Sequence, residues 1–436
     1  MKKLTFSTQI NATKERVWHT LWNDSNYRAW TSVFHEGSYA ESDWQEGSKI
    51  LFLDGAGIGM VSRIARLIPN QFMSFEHLGE VKNGEEDFES AKNGGWAGAH
   101  ENYTLTEKDG GVLLEAELDT DEQFEGYFSE KFPLALAKVK ALAEVQKITP
   151  FFWFDHQAEE AAQLYTSIFP NSKILNVVRN GEAVLTVNFS LNGQEFTAMN
   201  GGPHFKLTPA ISIFAVCETE AETDAVWKAL AAGGEVMMAL DKYPWSEKYG
   251  WLNDRYGLSW QIAFGKLADV GQQFTPSLLF VGEQHGRAEE AIHFYTSLFK
   301  NSSIGGILKY GAGGSDPEGT VQHAQFYLDG QTFMVMDNAA THAFQFNEAF
   351  SFVIPCDTQE KIDFYWNALT ADGGDESRCG WLKDKFGVSW QVVPPVLMEL
   401  LSNPDATKSQ RAMQAMMQMK KLDIAALKAA FEGNVV

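Results

Sequence analysis

Cysteine, positive charge and long apolar runs are what this chain has little of. Its three cysteines, Cys217, Cys356 and Cys379, are odd in number and too far apart for a metal knuckle. They are expected to be reduced, buried thiols of a cytoplasmic protein. Basic residues number 35 against 57 acidic ones, a net charge of −22, with the acidity spread along the chain and no basic stripe. A field of that sign repels nucleic acid and anionic membranes, so neither is an expected partner. No segment approaches the roughly 18 apolar residues of a membrane-spanning helix, and the opening MKKLTFSTQINATKERVW lacks a signal-peptide apolar run. Gly-x-Ser-x-Gly, His-Glu-x-x-His and a Cys/His pair are also missing, which removes the common signatures of hydrolases and zinc peptidases.

What the chain does have is length and repetition. Its 436 residues are too many for one core, and about 150 residues per domain predicts three. A content of 44% hydrophobic and 21% charged residues is that of an ordinary globular protein. GWLNDRYGLSWQ (250–261) returns as GWLKDKFGVSWQ (380–391), an offset of 130 residues. AEEAAQLYTSIFPNS (158–172) returns as AEEAIHFYTSLFKNS (288–302) at the same offset. VNFSLNGQEFTAM (187–199) returns as AQFYLDGQTFMVM (324–336) at an offset of 137, the extra residues falling near YGAGGSDPEG. Two modules follow one another, 147–268 and 273–395, with a Met-rich helical tail over 396–436.

Each module opens with a short strand, TPFFWF or TPSLLF. A helix follows, with Ala161, Leu164, Tyr165 and Ile168 at helical spacing. Strands joined by Asn192-Gly193 or Asp329-Gly330 read as hairpins. A second helix ends at a Gly pair suited to a C-cap, and the dodecapeptide closes the module as a turn and a strand. The order is β-α-β-β-β, given twice per module.

The motifs AEEAxxxYTSxF, LxGQxF and GWLxDxxGxSWQ resemble the PhnB-like (demethylubiquinone methyltransferase-like) branch of the vicinal oxygen chelate superfamily, which includes glyoxalase and bleomycin-resistance proteins. The resemblance covers nearly all of both modules. It implies βαβββ units that pair into cup-shaped sheets holding a ligand or metal. Residues 1–145, beginning INATKERVWHTLW and ending in the amphipathic FPLALAKVKALAE, resemble the START-like (SRPBCC) helix-grip fold. Their opening is similar to the branch of homologues of the heat-shock-chaperone ATPase activator. The overall expectation is an α+β protein: a helix-grip domain, two βαβββ-type modules and a helical tail.

The superfamily resemblance implies a metal-binding Glu on the last strand of the cup, four residues after the Gly of an Asp-x-x-Gly turn. Here the position holds Gln261 and Gln391, and an amide is a far poorer ligand for a divalent ion. His323 alone could serve as a ligand on a neighbouring strand. Metal-dependent glyoxalase, lyase, isomerase or dioxygenase chemistry is therefore the alternative, and no cofactor is expected in the leading reading.

A small-molecule ligand remains the expected partner. Strand alternation puts Thr186, Asn188 and Ser190 on one face of the first module, with Ser259 and Gln261. The second module has the counterpart His323, Gln325, Tyr327, Ser389 and Gln391. The plain reading of these faces is a solvated sheet surface, and the functional one is a ligand lining. Trp251, Trp260, Trp381 and Trp390 are phased with apolar neighbours and read as core. In the N-terminal domain Trp30, Trp96, His77 and His100 are the candidate cavity lining, together with Trp18, Trp22, Trp44 and Glu101. His100 and Glu101 are adjacent on a strand and should face opposite ways, so they make no dyad. LDGAGIG (53–59) has the glycines of a nucleotide loop, but an alternating strand pattern follows it where a helix is required. A chaperone-cofactor role for residues 1–145 is the third class of function, and no residue here marks a chaperone surface.

Overall fold

The computed structural model describes every residue except 11, 13, 83, 109–110, 145–147 and 435–436. Asn11 and Thr13 of the INATKERVWHTLW opening and residues 145–147, where the first two predicted domains meet, therefore lie outside the described residues. The fold is α+β, with three eight-stranded sheets and twelve α-helices among the described residues. Among the described residues no helix is long and apolar enough to cross a membrane. Two compact units form, Met1–Val145 and Gln146–Val436.

The first unit runs β1 (Lys2–Ile10), α1 (Lys14–Trp22), α2 (Asp24–Thr31), β2 (Tyr39–Glu41), β3 (Lys49–Leu53), β4 (Gly59–Ile68) and β5 (Phe72–Lys82). It continues through β6 (Glu85–Asp87), α3 (Phe88–Asn93), β7 (Ala99–Lys108), β8 (Gly111–Thr120) and the long α4 (Glu125–Glu144). The sheet order is β1-β8-β7-β5-β4-β3-β2, antiparallel throughout, with β6 against β5. Val17 and Leu21 of α1 are fully buried, as their i, i+4 spacing predicts. α4 buries Phe132, Ala135, Leu136, Val139 and Ala143, and Phe6 of β1 stacks on Phe132 at 5.0 Å. LDGAGIG is the β3–β4 hairpin turn: Asp54 Oδ1 accepts from Ala56 N and Ile58 N, and a strand follows.

The second unit contains four βαβββ quarters. The first is β9 (Thr149–Phe154), α5 (Ala158–Ile168), β10 (Lys173–Asn180), β11 (Ala183–Leu191) and β12 (Gln194–Asn200). The next is β13 (Ile211–Cys217), α6 (Glu220–Ala231), β14 (Glu235–Tyr243), β15 (Ser246–Asn253) and β16 (Ser259–Phe264), then the short α7 (Leu267–Val270). The third is β17 (Phe274–Phe280), α8 (Ala288–Leu298), β18 (Ser303–Lys309), β19 (Val321–Leu328) and β20 (Gln331–Asp337). The fourth is β21 (Phe350–Pro355), α9 (Gln359–Thr370), β22 (Asp375–Glu376), β23 (Trp381–Lys383) and β24 (Ser389–Val393). The tail forms α10 (Val396–Leu401), α11 (Ala406–Gln418) and α12 (Ile424–Glu432), packed through Leu397, Ala412, Leu422 and Leu427.

Local signals account for much of this. Asn192 and Gly193 both have positive φ (44° and 82°), as do Asp329 and Gly330 (48° and 79°), which a two-residue hairpin of the right twist requires. In α5 the buried stripe is Ala158, Ala161, Ala162 and Tyr165; Leu164 and Ile168, expected on it, are only partly buried at its edge.

The quarters do not pair within their own module. One sheet has the order β10-β11-β12-β9-β21-β24-β23-β22 and the other β14-β15-β16-β13-β17-β20-β19-β18. Each sheet thus takes one quarter from each module, joined by β9 antiparallel to β21 and by β13 antiparallel to β17.

The repeated motifs lock these sheets together from behind. Tyr165 of α5 donates to Asp254 Oδ2 at 2.7 Å, as does Trp260 Nε1 at 3.0 Å. Asp254 Oδ1 accepts from Tyr256 N and Leu258 N, closing the turn in which Gly257 takes φ of 89°. The second copy repeats this node with Tyr295, Trp390, Phe386 and Val388 around Asp384. Helix and dodecapeptide therefore recur together because each Tyr reaches the buried Asp of a quarter in the other sheet. Burial raises the pKa of Asp254 and pushes that of Asp384 up to about 6.

Candidate functional site

In the second unit each sheet has one face covered by helices α5, α6, α8 or α9 and an opposite face, open in lacking that cover but with its central polar side chains still buried: Ser259 is 0%, Ser389 1%, Gln261 4% and Gln391 5% exposed. Val187, Phe189 and Leu191 are fully buried in the core, while Thr186, Asn188 and Ser190 alternate onto the open face. Ser259 and Gln261 lie on the open face of a different sheet, because β11 and β16 belong to different sheets. This corrects the grouping by module: Thr186, Asn188 and Ser190 share a sheet with Ser389 and Gln391, whereas Ser259 and Gln261 share one with His323, Gln325 and Tyr327.

The two open faces differ in how their polar groups are satisfied. On the β13–β20 sheet, Gln261 Nε2 donates to Ser212 Oγ at 2.6 Å and Gln261 Oε1 accepts from Tyr249 OH at 2.8 Å. Trp251 Nε1 donates to Ser259 Oγ, and Gln325 Nε2 donates to Tyr327 OH, both at 2.8 Å. His323 is exposed, yet protein mass around the ring disfavours its cation and lowers its pKa. On the other sheet Gln391 Nε2 donates to Ser351 Oγ at 2.9 Å, and Cys379 stands where the repeat would place a second Tyr249. The hydroxyls of Thr186 and Ser389 are buried without a hydrogen-bond partner among the described residues. Trp381 packs edge-on against Phe151 and Trp153 at 5.5 and 6.1 Å. Trp260 and Trp390 are core as expected, but Trp251 and Trp381 emerge on the open faces opposite Gln261 and Gln391.

These donors do not fit a divalent cation. Gln261 spends both ends of its amide on neighbours, and among the described residues no three His, Cys, Asp or Glu side chains converge. Tyr249→Phe should leave Gln261 Oε1 unpaired and cost about 1 kcal/mol. Denaturant titration of the full chain measures this, and an unchanged midpoint would remove the phenol from the account.

The first unit has a half-open pocket of about 400 Å³ between α1, α2, α4 and the sheet. Its wall is mainly aromatic, including Trp22, Trp30, Phe34, Phe75, Tyr103 and Phe132. The rings of Trp22 and Trp30 lie 5.1 and 6.3 Å from that of Tyr103. Of the expected lining residues Trp30 is present, and Trp96, His77 and His100 are not. His100 points to the other face of β7, its Nδ1 3.2 Å from Ser74 Oγ, as alternation with Glu101 requires. Trp96 follows α3 and its indole covers Gly94. His77 lies behind the wall, its Nδ1 2.8 Å from Ser62 Oγ and its Nε2 3.5 Å from Glu101 Oε2.

Glu101 is the acidic group that enters the cavity. It accepts a short hydrogen bond from Tyr103 OH. Burial, with the Glu101 charge as a lesser cause, raises the pKa values of Tyr103 and Tyr27 well above their ordinary range, so both phenols stay protonated. Trp22, also in the wall, has a buried indole N–H with no acceptor among the described residues. Strand parity gave the signal for Glu101, since it shares its face with Tyr103 two residues on. Which face met a cavity was not written in that parity.

Of the comparisons with known proteins, the family model bears on the second unit. A PhnB protein from Bacillus cereus is 44% identical over 28% of this chain and 100% of its own length, with a TM-score of 0.27. A Pseudomonas aeruginosa protein is 20% identical over 26% of this chain and 93% of its own, at a TM-score of 0.24. The Aha1 dimer of Colwellia psychrerythraea is 18% identical over 33% of this chain and 98% of its own, at a TM-score of 0.27. No curated protein matches the chain. The family model of 3-demethylubiquinone-9 3-methyltransferase matches residues 146–263 and 272–393, one stretch per module and together more than half of the chain. By these two PhnB-like modules in tandem, the chain belongs to the 3-demethylubiquinone-9 3-methyltransferase family.

Proposed function

We propose that this is a cytoplasmic small-molecule binding protein. A START-like N-terminal domain takes the ligand, and the PhnB-like pair offers further binding faces. The observation that carries the reading is the aromatic cavity of about 400 Å³, a volume and lining suited to a compact organic molecule. The partnerless Trp22 N–H supports it, because a buried donor without an acceptor is costly unless something fills that place. On the β9–β21 sheet the buried Thr186 and Ser389 hydroxyls, without a partner among the described residues, support a second, weaker binding face shared with Asn188 and Gln391.

In this reading neither a divalent metal nor another cofactor takes part. Nucleic acid and membranes are not partners of a chain carrying −22 charges. The family description names a methyltransferase, but the glycine loop at residues 53–59 is a hairpin turn rather than a strand-to-helix loop. Glyoxalase-type chemistry through His323 would need a carboxylate that Gln261 does not supply. A chaperone-cofactor role would rest on the N-terminal domain as a whole and not on its cavity.

The test is calorimetric titration of the full chain with 4-phenyl-1-butanol, a neutral probe sized for the cavity. Saturable one-to-one binding is expected, weakened at least about tenfold in Met60→Trp, which adds a ring to the cavity wall. Absence of binding, or binding indifferent to Met60→Trp, would defeat the proposal.

A further inference from the structure

The charge of the cavity wall narrows the class of ligand. The lining residues carry two carboxylates, Glu101 and Asp54, one imidazole, His35, and no lysine or arginine. Asp54 sits in the β3–β4 turn with His35 Nε2 4.0 Å away, and that ring is mostly exposed. Glu101 is equally sheltered, its side chain 20% exposed against 19% for Asp54, whose Oδ1 is already taken by Ala56 N and Ile58 N. Its neighbours are a phenol that donates to it and His77, itself held from behind by Ser62. None of these is a permanent cation. An ionised carboxylate in an apolar wall is stabilised most by an opposite charge brought to it.

The geometry points to a ligand of one class: a small organic cation, an ammonium head on an apolar or aromatic body. This deepens the cavity reading and rests on it. The head group would meet Glu101 beside Tyr103. The ring of Tyr103 is surrounded by those of Trp22, Trp30 and Phe75 at 5.1, 6.3 and 6.4 Å, and aromatic faces attract a desolvated cation. The apolar body would fill the remaining space towards Phe34 and Phe132. Tyr103 and His77 act as positioning residues, fixing the carboxylate towards the cavity. An anionic or neutral ligand of the same shape would leave Glu101 buried against it without compensation.

Three isosteric probes decide the matter by calorimetry on the full chain near neutral pH: 4-phenylbutylamine, 4-phenyl-1-butanol and 4-phenylbutyrate. The amine is expected to bind at least about tenfold more tightly than the alcohol, and the butyrate most weakly. Glu101→Gln should abolish the preference for the amine while leaving the alcohol's affinity within about twofold. Should that variant fail to fold, the order of the three probes on the unmodified chain still gives the answer. Alcohol binding as tightly as amine, or a preference that survives Glu101→Gln, overturns the inference while the cavity reading stands. If none of the three binds, the cavity reading falls and the inference with it.

Discussion

Replacing Asp384 with alanine is expected to destabilise the second unit by about 4 kcal/mol, near the upper end for a single substitution. The change strands the Tyr295 hydroxyl, the Trp390 indole N–H and the backbone N–H groups of Phe386 and Val388. Tyr295 and Trp390 are each 1% exposed, so solvent cannot replace the lost acceptor without opening the core. Each orphaned buried donor costs about 1–3 kcal/mol, offset in part by no longer burying a carboxyl. Asp384→Asn keeps one acceptor oxygen and should lose about half as much. Chemical denaturation of the full chain, followed on the second unit's transition, reads both, and a loss under about 1 kcal/mol for alanine would refute the node.

The same pair carries a pH signature. Burial pushes the Asp384 carboxyl up to about 6, whereas an unfolded aspartate titrates near 3.9. Between those values the folded chain keeps a proton that the unfolded chain has released. The group's contribution is therefore complete below about pH 4 and is lost as pH rises through 6. The asparagine variant lacks this term. The stability advantage of the unmodified chain over Asp384→Asn should be larger at about pH 4.5 than at about pH 7.5, by on the order of 2 kcal/mol. A difference independent of pH would place the titration elsewhere.

Residues 148–272 expressed alone are expected to form a dimer rather than a folded monomer. In the intact chain β9 is completed by β21 and β13 by β17, so neither strand finds its partner inside the first module. A monomer would expose both strands along their whole edge, although Phe152, Phe154, Ile211 and Ile213 are buried there, and such edges associate. The second module's β17 and β21 are repeats of β9 and β13, so a second copy of the first module supplies the same two edges in a closed two-fold arrangement. Sedimentation at micromolar concentration tests this. A stable, folded monomer would show that the crossed pairing is dispensable.

Much of the second unit was legible in the residues alone. Alternation placed Val187 and Phe189 inward and Thr186 and Asn188 outward, and the Asn-Gly and Asp-Gly pairs marked the hairpins. The fate of the dodecapeptide's tryptophans was half legible: all four are phased with apolar residues, but Trp251 and Trp381 sit opposite Gln261 and Gln391 on the open faces. In the first unit, parity separated His100 from Glu101 correctly. It gave no means of knowing that His77 and Trp96 would miss the cavity, since that depends on how α1, α2 and α4 close over the sheet.

The sequence by itself determined the βαβββ quarters, their duplication and the presence of Gln261 and Gln391 at the two repeated positions. These are set by side-chain period, by turn chemistry and by residue identity, all of them local. Only the tertiary structure decided that the quarters pair across modules, which puts Thr186 in one sheet with Gln391 and Gln261 in one sheet with His323. A strand's alternation fixes which face it buries and leaves open which strand it pairs with, and β9 and β17 carry nearly the same pattern. The choice between partners is made by long-range packing of whole quarters, while Tyr165 and Tyr295, reaching Asp254 and Asp384 within their own modules, hold the two sheets against each other.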